Sequence, residues 1–412
     1  MRNILLLFCL AASSFVHGQK LTFDYDFSDF RIVQTQKHSV VELKNTKNMA
    51  QPGFPMQPYY LANVLLPQGA LVDNVTVELV SVSEHQLAAD ILPMQHVRPL
   101  SQPGEAVFVK NEQAYLSNCV KTVGQSIVYR QSVMNGYQVA QIRFSPMEYD
   151  ALNQQIRLGE QVRLTVNYSN SAANNESMVS KRPEVLRRLN LLCENPELAK
   201  QYACAKDPVG NIDVLIITPE AFVESFQPLV DDYQLSAKTV EVLPVEDIST
   251  TYEGVDLQEK IRNAIIDYYQ NHDVLYVLLG GDVEHVPHRG FYCEVQSSSV
   301  YEDDNIPADL YYMALDGTWN DNGNNLWGEP DEDDLLPEVA LSRMPFSTEA
   351  DLTNMLNKTL AYTNNPVEGE LDAPLLAGEH LYDNPLTWGA QYLDLIHGTH
   401  DDNGYTTTGI PD

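Results

Sequence analysis

The chain has 412 residues, 44% of them apolar, with 57 Asp and Glu against 25 Lys and Arg, a formal net charge of −32. That length implies two or three domains with substantial cores, and the apolar content is not that of a disordered chain. The charge excludes nucleic acid and anionic membrane as partners, because binding phosphate needs the opposite sign.

Residues 1–18 read as a signal peptide: Arg2 is the positive start, Ile4 to Phe15 the apolar core, and Val16-His17-Gly18 the small-residue cleavage site. The protein is therefore expected to be secreted, extracellular or at the cell surface. No later run is apolar for long enough to span a bilayer.

From 19 to 170, short stretches alternate apolar and polar residues, as in Val75-Thr-Val-Glu-Leu-Val80 and Gln138-Val-Ala-Gln-Ile-Arg-Phe144. Gly, Pro, Asn and Asp break them up, which is the pattern of a β-sandwich. Residues 171–210 read as a linker, opening with the Asn- and Ser-rich Ser169 to Ser177. Its basic pairs, Lys181-Arg182 and Arg187-Arg188, have two readings: an exposed processing site, or a short helix over Pro183 to Leu192.

Residues 211–365 switch to strands alternating with helices. Strands are expected at Ile212–Thr218, Thr239–Val245, Val274–Gly280, Ala308–Leu315 and Glu338–Met344. Helices are expected from Pro219 to Leu235, Asp256 to Tyr269 and Thr348 to Tyr362, the last with Ser347 as N-cap. Strand–helix–strand repeats imply right-handed crossovers and a parallel sheet covered on both faces, so the fold class is α/β behind an all-β domain. Residues 366–412 start a second such unit, with a strand from Leu375 to Glu379 and a helix from Leu386 to His397, and leave it incomplete.

Twelve Asp or Glu and no Lys or Arg lie between Tyr301 and Ala340. Calcium takes six to eight hard oxygen ligands. Asp334, Leu336 and Glu338 alternate along an extended segment, which can turn two carboxylates and the Leu336 carbonyl towards one cation. Asp282 would reach it from the end of the Val274–Gly280 strand. A second, weaker calcium loop is Asp316, Asn320, Asn322, Asn324 and Glu329 around Gly323, set against an ordinary exposed Asn/Gly turn. His397 and His400 follow a helix end, where His also suits the helix dipole. Cys193 and Cys204 are close enough in sequence to pair, or stand as separate thiols. Cys293, near His285 and His288, has nothing in the sequence to build a Cys–His dyad.

Together Ile212–Thr218, Val277-Leu-Leu-Gly-Gly-Asp-Val-Glu-His-Val-Pro287, Ala308–Gly317, Glu338–Met344, Asn357-Lys-Thr-Leu-Ala-Tyr362 and Asn403-Gly-Tyr-Thr-Thr407 resemble the gingipain family of secreted cysteine peptidases. Pro52-Gly-Phe-Pro-Met56 and the strands after it resemble that family's β-sandwich propeptide. The resemblance implies a caspase-like α/β fold and a zymogen, with the propeptide contacting the peptidase intramolecularly. It implies proteolysis of protein or peptide substrates by a Cys nucleophile and a His base, through a thioester. No residue here matches that Cys or His, which are expected downstream, so these 412 residues are expected to be inactive. Glu379 matches the carboxylate that orients the His. Asp282, Asp334, Leu336 and Glu338 match the family's calcium ligands. The acid tied to Arg specificity would fall at Gly389 or Ala390, where no carboxylate stands. The alternative is a non-catalytic surface or secretion-system protein that keeps the fold for binding.

Overall fold

The computed structural model describes residues 19–35, 37–95, 108–116, 127–170, 176–205, 211–296, 300–330, 332–367, 369, 375–383, 386–402 and 405–410. The signal-peptide reading and Cys119 lie outside the described residues.

The N-terminal domain contains β1 (Gln19–Asp26), β2 (Phe30–Gln34), β3 (Ser39–Leu43), β4 (Lys47–Met49), β5 (Gln57–Leu65) and β6 (Ala70–Gln86). After a short α1 (Glu112–Leu116) come β7 (Val128–Met134), β8 (Tyr137–Phe144), β9 (Met147–Asp150) and β10 (Gln155–Asn170). One antiparallel sheet runs β1-β10-β6 with β9 on β10; the other runs β4-β5-β8-β7; β2 and β3 pair alone. Alternation does the sorting. On β10, Ile156, Leu158, Val162, Leu164 and Val166 are buried while Arg157 and Arg163 face out. Their partners inside include Ala62, Val64, Ile142 and Phe144.

Strands β7 and β8 meet in a two-residue turn, Asn135-Gly136, with φ of 51° and 78°. Both residues are left-handed, as a type I′ hairpin requires. A Cβ on Gly136 would lie 2.5 Å from the Val179 nitrogen, so only glycine allows this approach.

The segment read as a linker is packed. Its α2 (Pro183–Leu192) buries Val185 and Leu189, and its Arg182 guanidinium donates to Asp213 and to the Asp273 carbonyl. Of the two readings of the basic pairs, the helix is the one observed. Cys193, just after α2, is a buried free thiol, so it does not pair with Cys204, whose Sγ donates to the Val179 carbonyl.

The second domain is a four-stranded parallel sheet in the order β12-β11-β13-β16, formed by β11 (Val214–Thr218), β12 (Val240–Pro244), β13 (Tyr276–Gly280) and β16 (Ala340–Met344). Helices α3 (Gln227–Leu235) and α6 (Glu349–Asn364) cover one face, where Val214, Ile216 and Leu278 meet Phe226, Leu229, Leu352 and Leu356. On the other face, Leu215, Ile217, Val277 and Leu279 meet Ile261, Ala264 and Ile265 of α5 (Leu257–His272). That second core also contains Leu65, Met134, Tyr137 and Val139 of the β domain and Val185, Leu189 and Tyr202 of the connecting segment. The two domains thus share one apolar core.

Several expected elements differ. Pro219 is followed by two 3₁₀ turns before α3, and α4 (Val245–Thr251) was not expected. The stretch from Ala308 to Leu315 is no strand. An antiparallel hairpin, β14 (Arg289–Gln296) with β15 (Val300–Ala308), precedes it, and a 3₁₀ turn starts at Asp309. The N-cap of α6 is Thr348, not Ser347, because the Thr348 hydroxyl accepts the Asp351 N–H. Leu375–Glu379 carries no ladder hydrogen bonds, and the helix expected from Leu386 begins as β18 (Leu386–Trp388), paired with β17 (His380–Asp383). A four-residue α7 (Ala390–Leu393) follows, then β19 (Thr399–Asp402) and β20 (Tyr405–Thr408). Among the described residues no helix is long and apolar enough to cross a membrane.

Candidate metal centre

Three carboxylates converge at the amino-terminal edge of the parallel sheet. Asp316, Asp334 and Glu338 each offer an oxygen within 4.8 Å of the others. Glu338 sits just ahead of β16 and is 3% exposed. Two amides fix its carboxylate: the Asn135 N–H donates to Oε1 at 3.0 Å and the Leu315 N–H to Oε2 at 2.7 Å. The Leu336 N–H donates to Asp334 Oδ1 at 3.0 Å. Asp316 Oδ2 and Asp334 Oδ2 are buried and accept no hydrogen bond. Two buried acceptors facing each other repel unless something positive lies between them.

The electrostatics agree. Burial, contact with Asp334 and the charge on Glu338 push the Asp316 carboxyl far above the usual carboxylate range. Burial pushes Glu338 up to about 7, against the pull of its two amide donors. The compensating cation nearby is Arg262 of α5, 6% exposed. Its guanidinium donates to the carbonyls of Tyr311, Ala314, Asp316 and Gly317 and so shapes the loop carrying Asp316. It lies over the Tyr311 ring at 5.2 Å.

Of the first expected set, the structure brings together Asp334 and Glu338, with the Leu336 amide on Asp334, and adds Asp316. It does not bring Asp282. In the β13–β16 register Gly280 faces Met344, and the Asp282 N–H donates to the Phe346 carbonyl. Asp282 is therefore at the carboxyl end of the sheet and Glu338 at the amino end, on the order of 20 Å apart at ~3.3 Å per residue. The Asp282 carboxylate instead accepts the Val283 N–H.

The second expected set does not converge either. Asp316 belongs to the first cluster. The side-chain oxygens of Asn320, Asn322 and Asn324 accept the backbone N–H groups of Asn325, Asn324 and Leu326. That fixes the amide orientation, and the amide nitrogens of Asn322 and Asn324 point at Glu329 Oε2, at 2.9 and 2.7 Å. The loop is held by its own hydrogen bonds and presents donors where a cation needs acceptors.

Glu379 is exposed, and its carbonyl accepts the Gly389 N–H at 2.7 Å. His285 Nε2 lies 3.1 Å from the Ser347 carbonyl and His288 Nε2 3.4 Å from Asn305 Oδ1, while Cys293 sits in the β14–β15 ladder opposite Asp303. These imidazoles are engaged away from the thiol. The His397 N–H donates to the Asp394 carbonyl.

Sequence reasoning missed Asn135 and Arg262. The signal for Arg262 was a cation on the buried face of α5, at helical spacing from Ile265 and Tyr269. For Asn135 the Asn-Gly pair announced a hairpin, but nothing announced its contact.

Residues 207–407 match the model of Peptidase family C25, and residues 11–190 match the model described as Propeptide_C25. Lys-gingipain of Porphyromonas gingivalis (strain ATCC 33277) is 22% identical over 374 residues, 86% of this chain and 20% of that protein. Lys-gingipain HG66 of Porphyromonas gingivalis is 22% identical over the same shares. The chain spans about a fifth of the length of these curated relatives. A complex of Porphyromonas gingivalis RgpB pro- and mature domains gives a TM-score of 0.35 at 14% identity, over 43% of this chain and 93% of that one. A structure on the zymogenic latency of gingipain K from Porphyromonas gingivalis gives 0.29 at 17% identity, over 37% and 88%. With the propeptide match and the peptidase match in that order along its length, the chain belongs to peptidase family C25.

Proposed function

We propose that the chain is the N-terminal part of the secreted precursor of a cysteine endopeptidase. Its β domain acts as the propeptide, and its parallel-sheet domain is the scaffold for hydrolysis through a Cys/His thioester mechanism. The observation that carries this is the propeptide-then-peptidase order of the two family matches. The apolar core shared by the two domains supports a propeptide that docks on the peptidase rather than hanging free. Glu379 is the carboxylate that would orient the catalytic His, and the substrates are proteins or peptides. With His285 and His288 turned away from Cys293, the nucleophile is not among the described residues. The test is hydrolysis of fluorogenic Lys and Arg peptides under reducing conditions. The 412-residue chain is expected to be silent. Turnover that alkylation abolishes would overturn this placement of the nucleophile.

Calcium belongs to the same reading. The donors Asp316, Asp334 and Glu338 are all hard oxygens, two of them orphaned, and the burial of three acids calls for neutralisation. Calcium held there would supply charge compensation that braces the Tyr311–Glu338 loop against β16. Chelation is expected to lower the melting temperature, Asp334→Ala to abolish the difference, and Asp282→Ala to leave it intact. Melting curves identical with calcium and with chelator would reject the site.

A further inference from the structure

The carboxylate cluster lies in the α/β domain, yet one of the two groups that fix Glu338 comes from the β domain. Asn135, 1% exposed, gives three bonds across the junction. Its N–H donates to Glu338 Oε1 at 3.0 Å. Its side-chain amide donates to the Glu338 carbonyl at 2.7 Å and to the Tyr269 hydroxyl oxygen at 3.0 Å. The turn has no freedom to deliver these otherwise: Asn135 is left-handed and Gly136 is pressed on the backbone of Met178 and Val179. One strand away, Arg130 of β7 donates to the carbonyl and carboxylate of Asp333, the residue before Asp334. The hairpin therefore grips the acidic segment at two points.

We propose that Asn135 is a positioning residue for the carboxylate cluster, so that cation binding and docking of the β7–β8 hairpin form one linked equilibrium. This rests on the calcium reading above. Groups that orient a ligand from behind set its readiness to bind, and losing one typically costs 10-fold to 100-fold in metal affinity. Linkage is reciprocal: whatever factor the docked hairpin adds to calcium affinity, calcium adds to docking. Calcium thereby becomes a clasp between propeptide and peptidase, and its depletion loosens the propeptide at an edge remote from the carboxyl ends of the strands.

The experiment uses the full chain. Calcium is titrated calorimetrically into wild type and Asn135→Gly, a change the left-handed backbone accepts. Affinity is expected to fall at least about 10-fold. The calcium-induced rise in melting temperature should shrink in the variant, whereas a residue serving only the turn would lower the melting temperature equally with calcium and with chelator. Independently, hydrogen exchange of wild-type peptides covering residues 130–139 should slow when calcium is added, and this decides the matter even if the variant does not fold. Calcium binding that Asp334→Ala abolishes, with unchanged exchange in the hairpin and unchanged affinity in Asn135→Gly, overturns the linkage and leaves the site standing. Absence of any calcium binding by wild type overturns both.

Discussion

Replacing Arg262 tests whether one buried cation organises the loop that carries Asp316. Arg262→Met keeps most of the side-chain volume and removes the fork. The guanidinium makes five bonds to four carbonyls, and two of those carbonyls belong to the fully buried Tyr311 and Ala314. Summing charge-assisted bonds at ~1.5–3 kcal/mol each would overshoot, because the unfolded arginine and carbonyls bond water instead. The better guide is the cost of removing one partner from a buried charged network, about 3–5 kcal/mol. Burial also weighs on the native arginine, holding its pKa below the usual value, so part of the network's gain is already offset by desolvation. Urea unfolding should therefore show a lower midpoint, equivalent to about 3 kcal/mol, with an unchanged slope. Arg262→Lys should recover less than half, since an ammonium cannot bridge four carbonyls. A loss under about 1 kcal/mol for Arg262→Met would refute the reasoning, because the orphaned carbonyls alone should cost more.

Three further outcomes follow from the same structure. Leu189→Ala should cost about 2–5 kcal/mol in urea unfolding, because Leu189 is fully buried in the shared core and not in a flexible tether. Burial pushes the Cys193 thiol up to about 11, two units above its ordinary 9.0, so its thiolate is ~100-fold scarcer at pH 8. Alkylation followed by mass spectrometry should modify Cys193 only under unfolding conditions. Burial raises the Asp213 carboxyl, but the Thr239 amide and hydroxyl and the Arg182 guanidinium outweigh it, and the net pKa is below 3.8. A carboxylate with a depressed folded pKa stabilises above its unfolded value and loses that stabilisation as pH falls. Arg182→Met should thus cost about 2 kcal/mol at pH 7 and progressively less below about pH 4.

How far the sequence could be read depended on burial. Strands β11, β13 and β16 were legible because buried parallel strands are apolar runs that end sharply. The β14–β15 hairpin was not, since β15 is exposed along nearly all its length and carries Glu302, Asp303, Asp304 and Pro307, so no core imposes an alternation. Helix α4 was hidden by its brevity, with only Val245 and Ile248 buried. In the site, Asp334 and Glu338 were legible because both lie on one extended segment entering β16. Asp282 was misplaced because a sequence shows that an acid ends a strand but not at which edge of the sheet its partners gather. Asp316 was assigned to the loop downstream of it, when the Arg262 fork turns it the other way. Asn135 was out of reach: it lies 203 residues from Glu338 and in another domain.

The connecting segment decides what kind of object the β domain is. Asn195 exchanges two hydrogen bonds with the backbone of Leu65, at 2.9 and 2.8 Å, so the segment completes the edge of β5. The Tyr202 hydroxyl donates to the Leu66 carbonyl, and the Gln138 N–H donates to that hydroxyl oxygen. On its other side Arg182 meets Asp213 and Arg188 donates to the Pro337 carbonyl, one residue before Glu338. Pulling the domains apart would therefore expose Leu65, Met134, Tyr137 and Val139 and orphan polar groups at the same time. Each loss is of the kind that costs kilocalories singly, and they must be lost together. A junction of that type opens as a unit or not at all, which makes a single clasp at Glu338 an effective place from which to control it.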